Sequence, residues 1–262
     1  MDLETLRVDR DGGVVTVTLN RPAKKNAVSR RMWDELLTTF AEVADRAEDR
    51  VMVLTGSGDA FCSGADLSDL DQFGGAEPPP QLVAMRHVAD VALELHRIPK
   101  PTIAKVNGVA AGAGCNMAFG CDLIVASDGA RFSQIFARRG MSIDFGGSWL
   151  LPRLVGLHKA KELAFFGDII SADDAMRIGL VNKVVPAAEL DSAVAGWAER
   201  LAAGPTLALS LTKTMLNHSY ATSMDQALED EGRSQHVTFS TRDIGEAMRA
   251  FAEKREPKFT GR

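Results

Sequence analysis

The stretch G-M-S-I-D-F-G-G-S-W, Gly140 to Trp149, sets one carboxylate, Asp144, between a strand-like hydrophobic pattern and a pair of glycines. An acid there can cap a helix starting near Gly146. It can also act as a base, because an apolar pocket raises a carboxyl pKa towards neutrality. The stretch G-V-A-A-G-A-G-C-N-M-A, Gly108 to Ala118, carries a different chemistry. Its small residues let a ligand approach the backbone closely. The helix that follows aims free N–H groups and its positive dipole end at the same point, which stabilises an anion. Tight packing of a helix on a sheet would explain the small residues equally well. The glycines do not fit G-x-G-x-x-G and no G-K-[ST] follows, so neither a dinucleotide fingerprint nor a P-loop is present. F-C-S-G-A-D-L, Phe61 to Leu67, is a second small-residue turn with exposed backbone donors.

Other reactive side chains give weaker patterns. His87, His96, His158, His218 and His236 show no metal-ligand spacing. Cys62, Cys115 and Cys121 form no C-x-x-C pair, so neither a zinc site nor a disulfide framework is indicated. Cys115 and Cys121 read as small core residues. The chain has 262 residues and a formal charge of −5, with no basic block. Nucleic acid and anionic membrane are therefore poor partners. No apolar run spans a bilayer, no signal-peptide pattern opens the chain, and a reducing cytoplasmic setting fits the cysteine usage.

The elements that must position these residues alternate. Val14–Leu19, Val51–Thr55, Thr102–Val106 and Leu123–Ala126 read as strands. Ser29 is the N-cap of a helix with Met32, Leu36, Phe40 and Val43 on one face. Residues 59–70 read as a loop passing into a short helix. Phe73–Gln81, with three consecutive prolines, reads as a loop, and Val83–Arg97 as a helix. Beyond about residue 187 the strand signals stop, and four helical segments follow between Leu190 and Lys254. The fold class is α/β, with a core over 1–187 and a helical region over 188–262.

Taken in order, several stretches resemble the crotonase, or enoyl-CoA hydratase/isomerase, superfamily. They are L-N-R-P-A-K-K-N-A-V, S-G-A-D-L, P-K-P-T-I-A-K-V-N-G-V-A-A-G-A-G, C-D-L-I-V-A-S, G-G-S-W-L-L-P-R-L-V-G and the tail F-A-E-K-R-E-P-K-F-T-G-R. The resemblance covers almost the full length. It implies a spiral of ββα units followed by a helical trimerisation region, and trimers that commonly pair into hexamers. It also implies an acyl-CoA thioester substrate, with no cofactor beyond the CoA of that substrate. By position, the N–H groups of Ala65 and Ala113 would hold the thioester oxygen. Lys24, Asp66, Leu67 and Ser68 would meet CoA, as would Phe251 and Lys254, often from a neighbouring subunit. The Phe73–Gln81 loop would cover the acyl chain.

Two departures bear on the reaction. Hydratases of the family place glutamates at positions that match Asn116 and Phe136 here. Neither side chain is a base. The pattern around Asp144, G-x-x-x-D-x-G-G-[ST], is similar to the branch that isomerises enoyl-CoAs, including the ring isomerase of phenylacetate degradation. The resemblance therefore implies a double-bond shift, 3-enoyl-CoA to 2-enoyl-CoA, or a ring-epoxide isomerisation, with Asp144 as the single acid/base. An enoyl-CoA hydratase and a catalytically silent acyl-CoA-binding protein are the rival readings.

Overall fold

The computed structural model describes residues 3–68 and 81–261. Two strands open the chain, β1 (Leu6–Asp11) and β2 (Val14–Leu19), paired antiparallel through the Gly12–Gly13 turn. Helix α1 (Arg30–Asp45) follows, and Ser29 caps it by accepting the Met32 amide. Met32, Leu36, Phe40 and Val43 are buried along one face, as their spacing predicts.

Next comes a repeated unit. β3 (Val51–Gly56) and β4 (Ala60–Cys62) precede α2 (Gln81–Arg97). β5 (Thr102–Val106) and β6 (Val109–Ala111) precede α3 (Ala113–Phe119). β7 (Leu123–Ser127) and β8 (Arg131–Ser133) precede α4 (Gly147–Val155) and α5 (Leu157–Phe166). β9 (Ile169–Ser171), α6 (Ala172–Arg177) and β10 (Lys183–Val185) complete the spiral. Each unit gives its first strand to one sheet, ordered β1-β2-β3-β5-β7-β10, and its second to another, ordered β4-β6-β8-β9. This is the α/β spiral of ββα units that the resemblance implies.

Four helices end the chain: α7 (Leu190–Ala202), α8 (Thr206–His218), α9 (Met224–Phe239) and α10 (Arg242–Glu253). Leu190, Val194, Ala198 and Ala202 of α7 pack on Val51, Val53, Ile103 and Val125 of the larger sheet. α8 and α9 bury no residue of their own in the single chain, and Leu216, Tyr220, Met224 and Phe239 are exposed. Among the described residues no helix is long and apolar enough to cross a membrane.

The sequence reading missed β1 and the three-residue strands. β4 falls where a loop is expected, and β6 lies inside the small-residue stretch. No strand precedes Asp144 either: residues 141–144 are irregular backbone.

The glycines of the central turns are placed by contact. A Cβ on Gly114 would lie 2.4 Å from the Cys62 carbonyl oxygen and 2.6 Å from its Sγ. Alanine normally stabilises a helix by about 1 kcal/mol over glycine. At Gly114 overpacking reverses the sign. Gly114→Ala should be net destabilising by about 1–2 kcal/mol, read as a lower urea midpoint at unchanged m-value.

Candidate active site

The two small-residue turns meet backbone to backbone. Segment 63–66 runs beside segment 25–28. The Ser63 amide donates to the Lys25 carbonyl, Val28 N–H to Gly64 O at 2.8 Å, and Asp66 N–H to Val28 O at 3.0 Å. In such a parallel bridge, made here by Val28 and Ala65, the amides of one strand point alternately to either side. The Ala65 N–H therefore points away from segment 25–28, and it has no hydrogen-bond partner among the described residues. Gly64 turns the chain at φ +99°. A Cβ there would sit 2.9 Å from Ala111 O and 3.7 Å from the Ala113 nitrogen. Ala113 is the first residue of α3, so its N–H is one that the helix itself cannot satisfy, and it too lacks a partner among the described residues. The structure thus brings Ala65 and Ala113 to one place, each with an uncommitted amide.

The Cys62 thiol lies beneath this junction and accepts the Gly64 N–H at 3.5 Å. Burial pushes all three cysteine thiols up to about 12, which makes them packing groups and not nucleophiles.

Asp144 is held by the turn that follows it. Phe145 (φ +46°) and Gly146 (φ +73°) both have left-handed backbone. For a phenylalanine this costs on the order of 1–2 kcal/mol. The cost is offset by burial of the Phe145 ring, which stacks on Trp33 of α1 with centroids 5.4 Å apart. Asp144 does not cap α4 with its side chain. Gly146 is the N-cap, with no side-chain cap bond, and only the Asp144 main-chain carbonyl meets the Gly147 amide, at 2.9 Å. The capping reading of the sequence is corrected to that extent, and the carboxylate is left over. Its Oδ1 is buried with no hydrogen-bond partner. Burial pushes the Asp144 carboxyl up to about 6.

The positions matching the hydratase glutamates are filled differently. Asn116 is fully buried, and both atoms of its amide are engaged, one with Asp144 O and one with the Gln134 amide. Phe136 is buried, and its ring would lie 3.7 Å from a Cβ on Gly112. It therefore forms an apolar wall beside the Ala113 end of α3. Neither role was legible in the sequence, since both depend on contacts between residues distant along the chain.

The positions assigned to CoA divide into two groups. Lys24 is exposed at the end of a 3₁₀ turn, Pro22–Lys24, and its carbonyl accepts the Ser63 hydroxyl at 3.3 Å. Lys24 therefore borders the Ala65 turn. Leu67 and Ser68 are exposed next to it. The Asp66 carboxylate is turned inward, onto Ser68 at 2.6 Å and Arg21 at 2.8 Å. The Ser68 hydrogen bond, with Arg21 behind it, holds that carboxyl below its usual value. Asp66 thus stiffens the turn, and any contact it makes with a ligand falls to its backbone. Phe251 and Lys254 lie on and just past α10, which packs on α9. Among the described residues no hydrogen bond or ion pair links them to Asp144, and Phe251 is 85% exposed. The segment expected to cover an acyl chain lies, apart from Gln81, outside the described residues.

Two uncommitted amides thus meet at the Ala65–Ala113 junction, and one desolvated carboxylate without a partner lies on a turn that Asn116 ties to the same helix. Comparison with known proteins identifies the family. The profile of the Enoyl-CoA hydratase/isomerase family matches residues 9–262. A 1,2-epoxyphenylacetyl-CoA isomerase of Escherichia coli is 37% identical, over 95% of this chain and 96% of its own. A short-chain-enoyl-CoA hydratase of Clostridium acetobutylicum is 37% identical, over 98% and 97%. A crystal structure of an enoyl-CoA hydratase from Mycobacterium smegmatis superimposes with a TM-score of 0.90 at 36% identity, covering 98% of this chain and 99% of that one. The chain is an enzyme of the enoyl-CoA hydratase/isomerase family. Hydratase names are the more frequent among these relatives.

The unpaired carboxylate has a measurable cost. Asp144 titrates near 6 in the folded chain, against about 3.9 unfolded. Between those values the folded state binds more protons, so this contribution to stability falls as pH rises from about 4 to about 6. Above that window the cost is on the order of 3 kcal/mol. Asp144→Asn should therefore raise Tm at pH 7, and the gain should vanish below pH 4. Thermal unfolding at the two pH values checks this.

Proposed function

We propose that the chain is an enoyl-CoA isomerase that shifts a double bond into conjugation with a thioester, using Asp144 as its only acid/base. The observation that carries this is the state of three positions. Asp144 has a free, desolvated carboxylate oxygen, while Asn116 and Phe136, at the positions that the resemblance matches to the hydratase glutamates, carry no carboxylate.

In this reading the N–H groups of Ala65 and Ala113 hold the thioester oxygen of a 3-enoyl-CoA. Asp144 takes a proton from the α-carbon. The electron pair passes into a dienolate, and its charge gathers on the thioester oxygen. Fixed donors there are worth about 2.7–4 kcal/mol each to the transition state. Asp144 then returns the proton to the γ-carbon, giving the 2-enoyl-CoA and regenerating the carboxylate. A carboxyl that titrates near the working pH is suited to both halves of the transfer. The same site could open a ring epoxide on an aromatic acyl-CoA, the substrate named for the E. coli relative. Lys24 would meet the CoA phosphates, and Leu67 and Ser68 the rest of its nucleotide end. Phe251 and Lys254 would contribute from a neighbouring subunit of a trimer or a dimer of trimers. The exposed apolar side chains of α8 and α9 support such an assembly.

The frequency of hydratase names among the relatives favours a second reading, water addition to a 2-enoyl-CoA. A direct assay separates the two. The isomerase reading expects turnover of 3-enoyl-CoA and little hydration of 2-enoyl-CoA. It also expects Asp144→Asn to lower kcat by about 10²–10⁴-fold, the usual contribution of a general acid/base. Rapid hydration without isomerisation would overturn it, and turnover of neither substrate despite CoA-ester binding would favour a silent binder. A second expectation concerns the phosphate partner: Lys24→Ala should raise KM with kcat unchanged, since it removes binding equal in ground and transition states.

A further inference from the structure

The Asn116 amide sits between two fixed neighbours, and its orientation follows from hydrogen-bond polarity. The Asp144 main-chain carbonyl can only accept, so Asn116 Nδ2 must face it, at 2.8 Å. Asn116 Oδ1 then faces away and must receive a donor. Gln134 Nε2 supplies it, also at 2.8 Å. Gln134 is buried beside β8, and its own Oε1 has no partner. A directed chain therefore runs from Gln134 through Asn116 to the main chain of Asp144. Gly147 closes the arrangement. A Cβ there would lie 2.3 Å from Asn116 Nδ2 and 2.6 Å from its Cγ, so the α4 turn can approach α3 this closely only without a side chain. Asn116 lies three residues from Ala113 on the same short helix, one turn from the uncommitted amide.

We propose that Asn116, oriented by Gln134, is the positioning residue that fixes the Asp144 turn relative to the Ala113 amide, so that the base is tethered to the helix that carries the donor. The inference rests on the isomerase reading of Asp144. Asn116 touches no reacting atom; it acts through the main chain of its neighbour. Without it the turn of Asp144, Phe145 and Gly146 loses its tether to α3, and the carboxylate moves both from the thioester oxygen site and towards water.

The test is steady-state kinetics on 3-enoyl-CoA with the purified full chain, as wild type, Asp144→Asn, Asn116→Ala, Gly147→Ala and the Asn116→Ala/Gly147→Ala double variant. Misplacement of a reacting group by about 1 Å costs about 100-fold, so Asn116→Ala should lower kcat by that order. Its KM should stay within about threefold, since CoA contacts are untouched. A more solvated Asp144 should also bring the acidic limb of the kcat profile down from about pH 6. A merely structural role would not move that limb. Gly147→Ala should reproduce the kcat loss by driving into the Asn116 amide. In the Asn116→Ala background, where the clash is gone, it should cost little more. Gly147→Ala also keeps the test open if Asn116→Ala fails to fold. If Asp144→Asn abolishes turnover while Asn116→Ala or Gly147→Ala keeps kcat within about twofold of wild type, the positioning role is wrong and the isomerase reading stands. Losses that simply add in the double variant, or an unmoved acidic limb, would likewise overturn the positioning role. If Asp144→Asn itself keeps wild-type kcat, the isomerase reading fails and the positioning role fails with it.

Discussion

A carboxylate removed from water with no counter-charge has two ways to lower its energy: it can take up a proton, or it can swing back into solvent. Asp144 is kept from the second. Its main-chain carbonyl is bound by Asn116 and by the Gly147 amide. The residue after it is locked by a buried ring stacked on Trp33. Only the first way remains open, and burial brings the carboxyl to about 6. A group that can neither leave nor find a partner is poised to exchange protons with whatever is placed beside it. The strain at Phe145, the glycine at 146 and the missing side chain at 147 all serve that one placement.

The second half of the site depends on steric exclusion. The Ala65 and Ala113 turns come together because glycines at 64 and 114 let backbone touch backbone, over a cysteine too deeply buried to react. The uncommitted amides are leftovers of regular structure: one points away from a parallel bridge, the other starts a helix. The spiral supplies these amides without special side chains. Asn116 ties α3 to the main chain of Asp144, and Phe136 walls the Ala113 end of that helix.

Helices with clear periodicity were legible in the sequence. α1 shows why: Ser29 carries a capping hydroxyl, and Met32, Leu36 and Phe40 recur at helical spacing. β2, β3, β5 and β7 of the larger sheet were legible through their β-branched residues, whereas β1, with Val8 alone among charged neighbours, was not. β4, β6, β8 and β9 were not. Each has three residues, too few to show alternation, and β4 and β6 are rich in alanine with little intrinsic preference for a sheet. They are strands because neighbouring strands pair with them. Within the site, Asp144 and the two glycine turns stood out by residue type. The inward turn of Asp66, the Asn116–Gln134 chain and the left-handed Phe145 did not, because each is fixed by a partner distant along the chain: Arg21, Gln134 and Trp33 respectively.

The central claim, that one shielded acid carries a proton between two carbons, is tested most directly by isotope tracing. A 3-enoyl-CoA carrying deuterium at both α-hydrogens is converted in ordinary water, and the 2-enoyl-CoA product is read by NMR or mass spectrometry. Deuterium at the γ-carbon is the expected result, because Asp144 would return the same deuteron it removed before exchange with water. A product with only solvent hydrogen at the γ-carbon, or one that has gained water across the double bond, would contradict it.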